Sequence, residues 1–418
     1  MSNARILMYT QDSYGLGHLR RATNLANALV AKRADLSVLL VVDSPIAPFF
    51  ELRPHVDFLK LPTVVKVGAG VFRTGQLAEG YEEIRSLRAH VLREAVLCFL
   101  PDVILVDHMP GGANRELLLT LTTIRRRKLA TRMVLGLRDI VDSPEVTRAV
   151  WRHERVYEAM QEYYDRVLIY GSPEVFDTAA EYDIARVMGE RIRYCGYVCN
   201  QEELEPPERV RARLGLGREP TVVVTAGGGA DAYRLMHAYL EALPRLGIPS
   251  PATLMITGPF LPEAELRTLR ERAASLPVQI RASVGEGLDT MNVADLVVCM
   301  AGYNTLSEVL RLGKRAIVVP RPGPSAEQGM RARLFAERGL VDVVEPGTLS
   351  ASTLAHALVK NLIARSRPAP RHVPDLDGVE RATEALLECL PSAPSPDRTP
   401  PVREATRAER LRSRAKAG

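Results

Sequence analysis

No apolar run of about 18 residues occurs in this 418-residue chain, so no membrane-spanning helix is expected. The start, MSNARILMYTQ, reads as a β-strand and not as a signal peptide. The expectation is a soluble, cytoplasmic protein, with peripheral membrane contact left open. The five cysteines are scattered at 98, 195, 199, 299 and 389. Cys195 and Cys199 form a C-x₃-C pair with no second pair to complete a zinc site, which fits reduced thiols. The net charge is only +5, and the segment from Pro391 onward holds seven basic against three acidic residues, 7 − 3 = +4. The body is thus near neutral, which argues against a nucleic-acid surface. A G-x-x-x-x-G-K-[ST] phosphate loop, an H-E-x-x-H zinc motif, a G-x-S-x-G elbow and a short-period repeat are all missing. The D-x-D at Asp375–Asp377 lies between a proline-flanked segment and a helix and reads as a turn and N-cap, so no catalytic divalent metal is expected.

What is present is an alternation of apolar strands and amphipathic helices. Arg5–Tyr9, Leu36–Val42, Val103–Val106, Arg132–Leu137 and Arg166–Tyr170 read as strands of a first unit. Thr221–Thr225, Ala252–Ile256, Val278–Ala282, Leu296–Cys299 and Ala316–Val319 read as strands of a second. Strands apolar throughout, alternating with helices, imply an α/β fold with parallel sheets covered on both faces. The expected division is a Rossmann-like unit over 1–198, a polar, Pro-containing linker over 199–219, a second Rossmann-like unit over 220–390 and a disordered basic tail over 391–418. Two such units would face each other across a cleft.

Each unit opens strand, glycine loop, helix. In the first, Gly15 and Gly17 precede His18. Glycines let main-chain N–H groups approach a ligand, and a helix start favours negative charge. Arg20 stands where the dinucleotide fingerprint needs a third glycine, which disfavours NAD. A histidine at the positive end of a helix tends to be neutral and able to accept a proton, so His18 is the candidate base; a helix-cap histidine is the plain alternative. In the second unit, Gly227, Gly228 and Gly229 could cradle a diphosphate or simply make a tight turn. Asp107, His108, Arg138, Asp139 and Asp142 follow first-unit strands and would project at the edge of the sheet that carries His18. Asp107 could orient a histidine and Arg138 could hold an anionic acceptor, or these residues could be salt bridges and turn caps. Thr305 and Glu308 match a T-x-x-E capping box. Gly302, Thr305, Glu308, Glu327 and Gln328 would surround a crevice at strand C-termini, suited to phosphate and ribose together.

The stretch VVCMAGYNTLSEVLRLGKRAIVVP, with EQGMRA after it, resembles the donor-site signature of GT-B glycosyltransferases of the family 28 type, which include the GlcNAc transferase acting on lipid-linked peptidoglycan precursors. The segments ILVDHMPGG, RELL and VLGLRDIVDSPEV are similar to a bacterial subgroup of predicted glycosyltransferases. The resemblance implies a metal-independent hexosyl transfer from a nucleoside-diphosphate sugar, UDP-linked by preference and inverting in outcome, to a small-molecule or lipid-linked acceptor. It implies that Glu308 meets the ribose, that Gly302, Asn304 and Thr305 meet the diphosphate or ribose, and that Gly17 and the 227–229 glycines approach the phosphates. Glu327 and Gln328 would touch the sugar, and His18 would be the base. Tyr14, Leu16 and the Glu327-Gln328 pair depart from the peptidoglycan enzyme, which leaves sugar and acceptor open. GLGHLRRATNLANAL also resembles the G-x-G-H-x-x-R start of nucleotide-sugar hydrolases, in which the histidine would activate water. A non-catalytic nucleotide-sugar-binding protein is the remaining alternative.

Overall fold

Strand β1 (Ala4–Tyr9) lies in the interior of the first unit, its side chains buried on both faces of the sheet except for the half-buried Arg5. The computed structural model describes residues 4–11, 16–68, 71–282, 287–364 and 372–391. Gly15, Tyr14 and residues 392–418 of the expected tail lie outside them. The remaining strands are β2 (Leu36–Val42), β3 (Val56–Lys60), β4 (Val64–Gly68), β5 (Val71–Thr74), β6 (Val103–Asp107), β7 (Arg132–Arg138), β8 (Arg166–Tyr170) and β9 (Ile192–Tyr194) in the first unit. The second has β10 (Thr221–Thr225), β11 (Ala252–Ile256), β12 (Val278–Arg281), β13 (Leu296–Cys299), β14 (Arg315–Val318) and β15 (Asp342–Val343).

The first sheet runs β3-β2-β1-β6-β7-β8-β9 and the second β12-β11-β10-β13-β14-β15, both parallel, while β4 and β5 form a separate antiparallel hairpin. In each sheet the order reverses beside the first strand, between β1 and β6 and between β10 and β13. Loops leaving adjacent strands diverge at that point and open a crevice at the strand C-termini. The start of helix Gly17–Lys32, which follows β1, and the glycine loop after β10 both lie there.

Helix Gly17–Lys32 forms because Leu19, Ala22, Leu25, Ala26, Leu29 and Val30 recur on one buried face. Burying each leucine contributes about 1.5–3 kcal/mol. This core is continuous with that of the second unit: Leu19 and Val38 belong to one apolar cluster with Val297, Leu306 and Phe335. Tyr197 sits at the junction, its ring 5.6 Å from that of Tyr303 and 5.8 Å from that of Phe335.

The expected linker contains a helix, Pro207–Leu214, whose Val210 and Leu214 are buried in the shared core. Helix Gly378–Leu387, the last among the described residues, packs on helix Gly17–Lys32 and strand β8, so it returns to the first unit although its sequence follows the second. Arg166 and Arg193 each pair with Glu388 at 2.7 Å, and Lys32 pairs with Glu380. Gly378 is required where this helix crosses residues 197 and 198: a side chain there would come within 2.5 Å of the Tyr197 carbonyl. Asp377 occupies the N-cap position as expected but makes no side-chain cap bond.

Candidate functional site

Two helix N-termini, one from each unit, meet without a side-chain cap on either. Helix Gly17–Lys32 starts after Leu16, and helix Tyr303–Arg311 starts after Gly302. The Asn304 side-chain amide donates to the Gly17 carbonyl at 3.1 Å. First-turn N–H groups of a helix have no partner within it and carry its positive end, so paired ends of this kind favour an anion. Thr305 is the third residue of its helix and not the cap, so the capping-box reading of Thr305 and Glu308 is incorrect. Glu308 instead lies a turn further on, 5% exposed, and accepts a hydrogen bond from Arg20 at 3.0 Å.

His18 and Asp107 make a dyad between the first helix and the end of β6. Asp107 Oδ2 lies 2.9 Å from His18 Nδ1, and Arg21 Nη2 lies 2.9 Å from the same nitrogen. A guanidinium only donates and an ionised carboxylate only accepts. Arg21 Nη2 already has both Asp107 oxygens as acceptors, at 2.9 and 2.8 Å. The Asp107 contact is favourable only with a proton on Nδ1, so the imidazole lone pair is assigned to Nε2. Burial alone would raise the Asp107 pKa, but the charges of Arg21 and His18 outweigh it and hold the carboxyl well below the usual range. Arg21 is itself clamped between the rings of Tyr170 and Tyr303, its guanidinium carbon 5.3 Å from each centroid. His108 follows, with a backbone φ of 80° and its ring 5.4 Å from that of His18. Burial, then the charges of Arg138 and His18, push its imidazolium well below the ordinary range, so the ring is neutral. Its Nδ1 is buried with no hydrogen-bond partner among the described residues.

The other expected acceptor residues are engaged across the boundary between the units. Arg138 pairs with Glu327 at 2.8 Å. Asp139 receives two hydrogen bonds from Arg331, at 2.9 and 2.7 Å. Asp142 accepts from the Ala326 N–H at 2.9 Å, at the start of helix Glu327–Glu337. An acidic side chain therefore already satisfies this third helix end. The facing cleft is bridged along this line by the salt bridges and caps that were the alternative reading of these residues.

Glu327 and Gln328 are correspondingly buried, at 6% and 8% exposure. Arg321 and Arg331 stand 3.6 Å from Glu327 in addition to Arg138, and Gln328 accepts the Arg321 N–H at 3.1 Å. These two residues hold the loop after β14 in place.

The glycine loop after β10 divides by position. Gly229 has a φ of 94°, and a side chain there would meet the Thr257 carbonyl at 2.1 Å. Gly228 accepts a hydrogen bond from the Phe260 N–H at 3.0 Å. Both therefore serve packing against the loop after β11. Gly227, with a φ of 66°, has nothing within 4 Å of where its side chain would be, while its N–H donates to Thr225 Oγ1 at 3.5 Å and its carbonyl packs against Gly258.

Sequence reasoning missed Arg20, Arg331 and Tyr303 as parts of this region. Arg331 had a legible signal: it falls on the apolar face of its helix with Ala332 and Phe335, where a buried cation needs a partner. Arg20 was legible only as a missing glycine.

By sequence, residues 221–374 match the glycosyltransferase family 28 C-terminal domain. A UDP-N-acetylglucosamine–N-acetylmuramyl-(pentapeptide) pyrophosphoryl-undecaprenol N-acetylglucosamine transferase of Bacillus cytotoxicus is 26% identical over 206 residues, 49% of this chain and 54% of that protein. An uncharacterized glycosyltransferase of Methanopyrus kandleri is 30% identical over 234 residues, 55% and 62% of the two chains. The chain spans between 35% and 62% of the length of curated relatives such as these. Among solved structures, the glycotransferase of kitacinnamycin has a TM-score of 0.60 at 17% identity, covering 93% of this chain and all of the other. A putative UDP-N-acetylglucosamine 2-epimerase of Listeria monocytogenes reaches 0.59 at 13% identity, covering 93% and 95%. Two parallel sheets meeting at their strand C-termini are therefore the GT-B architecture, and residues 221–374 are similar to the glycosyltransferase family 28 C-terminal domain.

Proposed function

We propose that the chain transfers a hexosyl group from a nucleoside-diphosphate sugar, preferentially UDP-linked, to an acceptor hydroxyl. The observation that carries this reading is the meeting of two uncapped helix N-termini beside a His18–Asp107 dyad. In the reading, the diphosphate lies on the first-turn N–H groups of helix Tyr303–Arg311 and beside Gly227, and the ribose hydroxyls donate to Glu308. His18 Nε2 takes the acceptor proton as the acceptor oxygen bonds to the anomeric carbon. The bond from that carbon to the diphosphate oxygen breaks, and its electron pair leaves with the nucleoside diphosphate. A single displacement inverts the anomeric centre. Main-chain dipoles fixed before the reaction stabilise the departing charge without reorganising, which is where such sites gain most of their rate. The acceptor would come from the first unit's side, and a lipid-linked acceptor is consistent with the name of the Bacillus relative. Among the described residues no helix is long and apolar enough to cross a membrane.

The test is an assay of sugar release and product formation across UDP-, GDP- and ADP-hexoses, with and without hydroxyl acceptors. Acceptor-dependent formation of a new glycoside supports transfer. Equal sugar release without acceptor identifies a hydrolase, and nucleotide binding without turnover identifies a binding protein.

A further inference from the structure

We propose that Arg20 is a counter-charge that moves from Glu308 to the diphosphate when a nucleotide binds, and so sets the preference for diphosphates over nucleosides; this rests on the reading of the site given above. Arg20 is the one hydrogen-bond partner of the Glu308 carboxylate among the described residues, at 3.0 Å. Glu308 is 5% exposed, and a carboxylate so buried needs a donor. In the empty site Arg20 supplies it. A ribose brings two hydroxyl donors to the same oxygens and makes Arg20 redundant there.

The released guanidinium then has a second acceptor within reach. Gly17 and Arg20 are three residues apart and share a helix face, and Gly17 is tied to Asn304 at the mouth of the other helix. The stem of Arg20 thus starts near the helix ends that would hold the diphosphate and extends inward to Glu308. From Tyr303 to Glu308 is about 7.5 Å along the helix axis, a span an arginine covers by changing rotamer. A guanidinium binds phosphate oxygens through two parallel hydrogen bonds. Arg321 is less suited to the task, since it already stands 3.6 Å from both Asp231 and Glu327. At 36% exposure the Arg20 side chain is the freer of the two members of its ion pair.

The experiment is calorimetry of UDP, GDP and ADP against uridine, guanosine and adenosine, on the wild-type chain and on Arg20→Met, Arg20→Lys and Glu308→Gln. For the base that binds, Arg20→Met should weaken the diphosphate at least tenfold while leaving the nucleoside unchanged or tighter, because no ion pair then has to be broken. Arg20→Lys should keep most of the diphosphate preference. Glu308→Gln should weaken nucleoside and diphosphate alike. The double variant Arg20→Met/Glu308→Gln, which leaves no buried charge unpaired, should also lose the preference. Equal weakening of nucleoside and diphosphate by Arg20→Met, or no effect on either, overturns the inference while the site reading stands. A wild-type chain that binds none of the nucleotides overturns both.

Discussion

Arg331 and Asp139 face each other with two hydrogen bonds of 2.9 and 2.7 Å, each side chain 1% exposed, and so join the second unit to the first. Arg331 also donates to the Ala301 carbonyl at 2.8 Å, directly before Gly302 and the helix that would hold a diphosphate. One buried cation thus fixes the position of the candidate site relative to the first sheet. Removing one partner of a buried pair leaves an uncompensated charge and costs about 3–5 kcal/mol. Arg331→Met should lose stability of that order, and Arg331→Met with Asp139→Leu should recover much of it. Urea unfolding of both variants checks this, and a double variant no better than the single would contradict it.

The Asp107 carboxyl titrates well below the usual carboxylate range in the folded chain. A depressed folded pKa contributes stability that is complete above the unfolded value, about 3.9 for aspartate, and is lost as pH falls from there toward the folded value. Thermal unfolding of the wild type should therefore lose stability below about pH 4, and Asp107→Asn should show a shallower slope there. Identical slopes would exclude Asp107 as a contributor. The same variant replaces an acceptor-only carboxylate with an amide that can also donate, so the proton is no longer held on His18 Nδ1 and kcat should fall with little change in donor KM.

His18→Ala removes the base but none of the groups proposed to grip the nucleotide. Transfer should slow by about 10²–10⁴-fold, with nucleotide affinity retained by calorimetry. Turnover at the wild-type rate would refute the assignment.

Glu308→Ala should weaken nucleotide binding by about 1.5–3 kcal/mol, the contribution of a hydrogen bond to a charged group. Calorimetry reads this directly, and unchanged affinity would remove Glu308 from the ribose site.

Gly227 and Gly229 should separate under substitution. Gly229→Ala drives a side chain into the Thr257 carbonyl and should impair folding, seen as a large fall in melting temperature. Gly227→Ala meets only the left-handed backbone cost, about 1–2 kcal/mol. It should leave the chain folded and obstruct a ligand approaching the loop. A melting temperature lowered equally by both would show that Gly227 too serves packing.

The central strands were legible because they are buried on both faces: β2, β8, β10, β11 and β13 fall where their apolar runs place them. Of the four edge strands of the two parallel sheets, β12 was legible and the other three were not. β3 reads VDFLK with alternating exposure, β9 has three residues and β15 two, and such segments become strands only because a neighbour offers its backbone. His18 with Asp107 was legible as a candidate pair because both follow strands at one sheet edge.

The amino-acid order by itself determined two α/β units, their glycine loops and the edge of each sheet on which polar residues collect. Local periodicity reports whether a segment is buried, and strand direction then dictates where its loops emerge. The docking of the units decided the rest: that Arg138, Asp139 and Asp142 bind the opposite unit, that Glu308 meets Arg20, and that helix Gly378–Leu387 returns to the first sheet. Those pairs join residues 184 to 288 positions apart, and side chains so distant acquire partners only from the rigid-body fit of two finished surfaces.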